Sequence, residues 1–258
     1  MLTITQDIVI IVTCVLLALI FVWILQRVWP AANRRLHNDI IGWQVSILGT
    51  TYAVIMGFML YAVWTTFQAA GINADNEANC LVNVFRLADG LPVAQQEQVH
   101  RLAREYAVVV ADQEWPAMYR GEISEAGNAI VEKLWITVVQ AKPVTFAEQT
   151  SMNLTLTEIS RMTQYRRLRQ LESESKLPGI LWLVMILGGG ITIFSASLFG
   201  TENFRLHLVQ VFLLTLLVTL TLVAIGDIAR PFQGSVHVKP LGFERARDTF
   251  AHLPVDAR

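Results

Sequence analysis

Four separate apolar runs, each long enough to cross a lipid bilayer, constrain this chain more than any other feature. They lie at 8–28, 45–67, 180–199 and 206–228. A hydrocarbon core of about 30 Å takes about 20 residues of α-helix. No water is available there to satisfy peptide groups, so the runs are read as transmembrane helices. Composition agrees, with 53% hydrophobic and only 16% charged residues, too apolar for an ordinary soluble domain. The expected fold class is all-α, with four transmembrane helices and a helical extramembrane insertion between the second and third. The expected domains are 1–67, a first transmembrane pair; 68–177, the helical insertion; 178–230, a second pair; and 231–258, an amphipathic tail.

Other bulk properties exclude more than they assign. A net charge of -1 gives no reason to expect nucleic acid. Cys14 sits in the first span and Cys80 beyond the second, so no disulfide framework or metal set is available. The start, MLTITQD, lacks the basic stretch of a signal peptide, and the first span is expected to be retained.

The second span passes without any proline into a polar helical pattern ending near Leu91, and the whole stretch reads as one long helix. Beyond the bilayer it divides into faces at 100° per residue. Ala74, Leu81, Val84, Phe85 and Ala88 share one, and Asn76, Asn79, Asn83 and Arg86 the opposite one. Carried back into the bilayer, the polar stripe meets Gln68, Thr65, Tyr61, Val54, Thr50 and Ile47. Gly49, Ala53 and Gly57 recur every four residues, a spacing that brings helix backbones close. The simplest reading is tight packing within one subunit, and the alternative is packing between subunits. Gly188, Gly189 and Gly190 in the third span suit close packing or a soft point in that helix.

The middle segment reads as helices only. One runs from Gln95 to Met118, with an interruption at Pro116 and Gly121. A second runs from Ser124 to Gln140 and is stopped by Lys142-Pro143, and a third from Thr145 to Lys176 carries the basic run RRLRQ. The two short connections are expected to make antiparallel pairs of the first two and last two spans. Asp227 and Arg230 are spaced to form an ion pair at the membrane edge. Phe243, Ala246, Phe250 and Leu253 repeat at helical spacing, so the tail is expected to pack on the middle domain or the interface. Near the spans, eight cations (Arg166, Arg167, Arg169, Lys176, Arg230, Lys239, Arg245, Arg247) lie on the side of the middle segment, against four (Arg27, Arg34, Arg35, Arg205) opposite. The positive-inside rule then places the protein in the inner (cytoplasmic) membrane with its middle domain and both termini in the cytoplasm. The first span alone, flanked by cations only after its end, argues the reverse.

Signals for an enzyme are thin. Glu97 and His100 have the E-x-x-H spacing of di-iron bundles, but such a site needs a second copy and two more Glu, so a solvated helix face is expected. His37, His207, His237 and His252 show no zinc spacing. There is no phosphate-binding loop, dinucleotide fingerprint or nucleophile elbow. No catalytic residue, metal or cofactor is expected. Glu114-Trp115-Pro116 reads most simply as a helix end anchored by an aromatic.

Four motifs carry a family resemblance over nearly the whole chain: NEAN at 76–79, FRLADGLP at 85–92, REYAVVVADQEWP at 104–116 and GDIARPFQGSVHV at 226–238. They resemble bacterial four-helix membrane proteins of unknown function described as bestrophin-like. The resemblance implies comparison with bestrophins, pentameric ion channels whose second membrane helix lines an axial pore continued by a cytosolic helical domain. It implies a homo-oligomer, a pentamer by that comparison, with the bilayer and, for a channel, inorganic ions as partners. Thr50, Val54, Tyr61 and Thr65 would then face the pore, with Val54, Phe58 or Tyr61 as the constriction, since apolar rings gate by dewetting. Asn76, Asn79, Asn83 and Arg86 would line the vestibule. The sequence has no acidic cluster like the bestrophin calcium clasp and no sure counterpart of the animal channels' aromatic neck, so calcium gating does not carry over. The alternatives are a non-conducting scaffold or sensor, and a transporter, at which only the glycines of the third span hint.

Overall fold

The computed structural model of the protein describes residues 4–252. Leu253, the last residue of the apolar tail repeat, and the Met-Leu-Thr that opens MLTITQD lie outside the described residues. In chain order the helices are α1 (Ile4–Val28), α2 (Ala31–Arg34), α3 (Asn38–Leu87), α4 (Val93–Val109), α5 (Trp115–Tyr119), α6 (Asn128–Val139), α7 (Phe146–Glu174), α8 (Gly179–Ser197), α9 (Phe204–Ile228) and α10 (Leu241–His252). No strand occurs among the described residues. Helix α3 is unbroken through Gln68–Asn73, as its sequence, free of proline, leads one to expect.

The chain divides into two compact units. One consists of the residues up to Thr65 together with Lys176–Ala229, the other of Thr66–Ser175 together with the residues from Arg230 on. Four helices are long and apolar enough to cross a membrane, and the first unit holds α1, α8, α9 and α3 up to Thr65. Here α1 packs chiefly along α9, and α8 packs on α9. Tyr52 of α3 lies against α8, its hydroxyl donating to the Met185 carbonyl at 3.1 Å. The glycine run of α8 makes room for that ring. A Cβ on Gly188 would come within 2.8 Å of the Tyr52 ring, and one on Gly189 within 2.8 Å of its hydroxyl, whereas Gly190 faces open space.

The end of α8 is held by the hinge that the sequence supplied as a pair of flanking cations. Arg34 is fully buried, its Nη1 donating to the Ser197 carbonyl at 3.0 Å and its Nη2 to Gln26. A cation at a helix C-terminus answers the partial negative charge of the last carbonyls. Asn38 brackets Gly200, donating to its carbonyl at 2.8 Å and accepting from its N–H at 3.0 Å. A Cβ on Gly200 would sit 2.6 Å from the Arg35 nitrogen, so only glycine fits. Arg35 instead reaches outward to Glu202 at 2.8 Å.

In the second unit the outer part of α3 buries Ala74, Leu81, Val84, Phe85 and Ala88, the apolar face expected from the sequence, in one core with α4, α6, α7 and α10. The helix expected over Gln95 to Met118 is interrupted earlier than its proline. Val110–Glu114 form a wide π-helical turn in which the Trp115 N–H bonds the Val110 carbonyl five residues back. Pro116 has no N–H to offer the Asp112 carbonyl, which removes one ordinary helical bond and favours the wider turn. Helix α6 begins at Asn128, not Ser124, because the Gly127 N–H is turned inward to the Glu114 carboxylate at 2.9 Å. Thr145 and Glu148 form a capping box at the start of α7. Phe243, Ala246 and Phe250 of α10 are buried in this same unit, with Phe250 stacked on Phe85 at 4.4 Å between ring centroids.

Candidate functional site: a buried charge lattice and the open face of α3

Two features stand out, one sealed and one open. The sealed one lies in the second unit. Arg169 of α7 donates through Nε to Glu77 Oε2 at 2.6 Å and through Nη2 to Glu77 Oε1 at 2.9 Å. The same Nη2 lies 2.9 Å from Glu114 Oε2. Arg166, one helical turn earlier, forks onto both Glu114 oxygens at 2.9 and 2.7 Å and reaches Asn128. The Tyr106 hydroxyl donates to Glu77 Oε1 at 2.6 Å and accepts from Arg166 Nη1 at 3.0 Å. All four charged groups and the tyrosine are buried.

Two carboxylates and two guanidiniums cancel formally, and three of the four carboxylate oxygens, all but Glu77 Oε2, accept two hydrogen bonds each. A buried ion pair offsets the cost of leaving water only when it is satisfied in this way. Burial alone would raise the Glu114 carboxyl, but Arg166 and Arg169 outweigh it and hold it below the usual carboxylate value. Burial would likewise lower Arg169, yet Glu77 above all drives it higher, so it stays charged. Burial pushes the Tyr106 hydroxyl well above its ordinary range, leaving it a neutral donor. A Cβ on Gly127 would stand 2.8 Å from both Arg166 Nη1 and Glu114 Oε1, so the chain passes the ion pair as glycine. The lattice binds α3, the π turn and α7 through side chains distant in sequence. It has the chemistry of a lock, since all five side chains are buried and bonded to one another.

The sequence missed this cluster. On the sequence Arg166 and Arg169 read as cations that flank the membrane, and Glu114 as part of an aromatic helix end. Trp115 does anchor there, its Nε1 donating to the Val238 carbonyl at 2.9 Å and its ring meeting Phe232. The available signal was the arginine pair three apart on α7, together with a glutamate inside each of two family motifs. Helix α7 holds α3 at further points: Glu172 accepts from Asn73 at 2.7 Å and Glu158 from Asn83 at 3.1 Å. His100, expected on a solvated face with Glu97, is instead buried, stacked on Phe85 at 4.0 Å and bonded to its carbonyl at 2.9 Å. Its apolar neighbours on α4 carry it inward, while Glu97 stays exposed. Among the described residues no group of three or more His, Cys, Asp or Glu could hold a metal ion.

The open feature is one side of α3. In the first unit Thr50, Val54, Phe58, Tyr61 and Thr65 are exposed, Phe58 by 71% and Tyr61 by 68%. In the second unit Asn79, Asn83 and Arg86 are exposed and Asn76 is half-buried. Gly49 and Gly57 meet nothing within 4 Å of a built Cβ, and Ala53 is exposed. The small-residue stripe therefore does not serve packing within the subunit. That role falls to Gly188 and Gly189 on another helix, because Tyr52 occupies the side of α3 turned to the bundle. Asp227 closes α9 half-buried, and Arg230 lies exposed just beyond it.

The exposed residues of the four spans differ in kind. On α1, α8 and α9 they are dominated by large aliphatic and aromatic side chains such as Leu16, Leu17, Ile20, Leu187, Leu213 and Leu217. On α3 threonines, alanine, glycine and tyrosine are mixed among them.

These observations define a class: a four-pass helical membrane protein with a helical extramembrane unit locked by buried ion pairs. A family model, Bestrophin-like domain, matches residues 12–243, and the chain belongs to the bestrophin-like family. No curated protein matches the sequence significantly. Among solved structures, a point variant of a bacterial bestrophin homologue from Klebsiella pneumoniae aligns with a TM-score of 0.70 at 12% identity, over 94% of this chain and 99% of that one. A further structure of a bestrophin homologue from Klebsiella pneumoniae gives 0.67 at 12% identity, over 95% and 100%. A second variant gives 0.69 at 13%, over 93% and 97%. At such identity the likeness shows a shared bestrophin fold and nothing finer.

Proposed function

We propose that the protein is one subunit of a homo-oligomeric ion channel in which the open side of α3 faces a shared axis. The observation that carries this reading is the contrast between the exposed surfaces of the spans. Lipid tails match large apolar side chains, as α1, α8 and α9 present. Threonines, glycines and a tyrosine on α3 suit a neighbouring helix and water instead. In this reading Thr50, Val54, Phe58, Tyr61 and Thr65 line the membrane part of the pore, with Val54, Phe58 or Tyr61 as its constriction. Gly49, Ala53 and Gly57 bring neighbouring subunits close. Asn76, Asn79, Asn83 and Arg86 belong to the vestibule, where a ring of arginines raises the local anion concentration. The resemblance to bestrophins supports a ring of five subunits. The excess of cations flanking the spans on the side of the helical unit supports its placement in the cytoplasm of an inner-membrane protein.

Purified protein reconstituted in a planar bilayer tests the channel. The expected result is a current whose size changes with Tyr61→Ala and whose ion preference changes with Arg86→Glu. An intact oligomer that carries no current sinks it and leaves a non-conducting scaffold or sensor.

A further inference from the structure

Helix α10 meets the outer part of α3 at two places. At one, Gly242 lies so close that a Cβ there would come within 2.8 Å of Asp75 Oδ1 and 3.0 Å of the Ala78 Cβ. At the other, Phe250 stacks on Phe85. Between these contacts the polar sides of the two helices leave a groove of about 380 Å³, within the roughly 300–1,000 Å³ range of small-molecule sites. Asn79, Asn83 and Arg86 line it from α3 and Arg245 and Thr249 from α10, with Asp75 at the Gly242 end.

The groove brings two arginines, Arg86 and Arg245, to one cavity with a single carboxylate, Asp75, in its lining. Elsewhere in the unit Arg120, Arg161, Arg166, Arg169 and Arg247 each face a carboxylate. Arg247, two residues from Arg245 on the same helix, pairs with Asp112 at 3.1 Å. Neither Arg86 nor Arg245 has an acidic partner among the described residues, although both turn to one cavity. Glu158 of α7, which Asn83 reaches, is also paired with Arg161 at 3.0 Å. Asp75 sits at the far end, where it repels an anion toward the arginines.

We propose that this groove binds a phosphate group, as the free ion or as a lipid headgroup. Arg86 and Arg245 supply planar forks of N–H donors matched to paired oxygens, and the Asn79 amide a further donor. The Thr249 hydroxyl already donates to the Arg245 carbonyl at 2.8 Å, so it offers the ligand a lone pair only. A bound oxyanion joins α3 to α10 and ties the tail to the face that carries the vestibule residues. The proposal shares Asn79, Asn83 and Arg86 with the channel reading but does not rest on it, since binding is measured without current.

The full chain in nanodiscs of neutral lipid provides the test. Its melting temperature is followed during titration with inorganic phosphate, against chloride at matched ionic strength. Phosphate also stabilises proteins generally by exclusion from their surface, so Arg86→Gln and Arg245→Gln, both at exposed positions, set the baseline. The expected result is a saturable rise in melting temperature whose midpoint moves at least tenfold to higher phosphate in each variant. A second arm replaces part of the neutral lipid with phosphatidylglycerol and omits phosphate. A rise there that both variants abolish identifies a lipid headgroup as the source, and its absence identifies the free ion. Equal responses in wild type and variants, or no response beyond chloride in either arm, overturn the proposal, as they would if a second copy of the chain filled the groove.

Discussion

Arg169 holds both carboxylate oxygens of Glu77, at 2.6 and 2.9 Å, across 92 residues of sequence and with neither side chain more than 1% exposed. Such a pair holds the outer part of α3 to α7 at a fixed register, and its energetics differ from those of a surface salt bridge. Removing one member leaves an uncompensated buried charge, which costs about 3–5 kcal/mol, whereas replacing both with apolar groups of similar volume is often close to neutral. Arg169→Met and Glu77→Leu should therefore each lower stability by about that amount, while the double variant recovers much of the loss. Chemical unfolding of the three proteins in one detergent measures the cycle. A double variant as unstable as the sum of the singles would show that the pair is not an independent lock.

Glu114 and Glu172 predict opposite responses to pH. The arginines hold Glu114 below its ordinary value of 4.5, so the stability it contributes is full above pH 4.5 and is lost as pH falls through the folded-state value. Burial raises Glu172 despite the opposing bond from Asn73, so its contribution is full below pH 4.5 and is lost as pH rises through the raised value. Glu172→Gln should consequently raise the melting temperature at pH 7.5 and leave it unchanged near pH 4. Glu114→Gln should lower it at pH 7.5 and flatten its fall under acid. A benefit of Glu172→Gln that persists at pH 4 would contradict the assignment.

The three consecutive glycines of α8 should respond unequally to one added methyl group. Gly189→Ala drives a Cβ to 2.8 Å from the Tyr52 hydroxyl and 2.9 Å from Val218. Overpacking of this kind costs about 1–3 kcal/mol. Gly190 meets nothing within 4 Å, so Gly190→Ala should be neutral or stabilising through helix propensity alone. Thermal unfolding of both variants distinguishes local crowding from a general need for a flexible helix.

If α3 lines a pore, polarity at its apolar ring decides whether the passage is wetted. Phe58→Asn and Val54→Asn should increase conductance, while Leu213→Asn, on the exposed side of α9, should leave it unchanged. Currents through reconstituted protein give the comparison. An effect of Leu213→Asn equal to that of Phe58→Asn would remove α3 from its special place.

The apolar runs were long and uniform enough that burial in lipid left no alternative to four helices, and the absence of proline between Val45 and Leu91 made α3 continuous. The 3.6-residue period also gave the apolar and polar sides of its outer part, since each follows from neighbours along one helix. What could not be read was which partner each face would meet. Gly49-Ala53-Gly57 and Gly188-Gly189 both offer small residues for close helix packing, and only the position of Tyr52 shows which of them is used inside the subunit. Glu77, Glu114, Arg166 and Arg169 look on paper like part of a family motif, a helix end and two membrane-flanking cations. A charge buried beside its complement has the same letter as one in water. Its environment is set by residues scores of positions away, and that pairing exists only once α3, the π turn and α7 have come together.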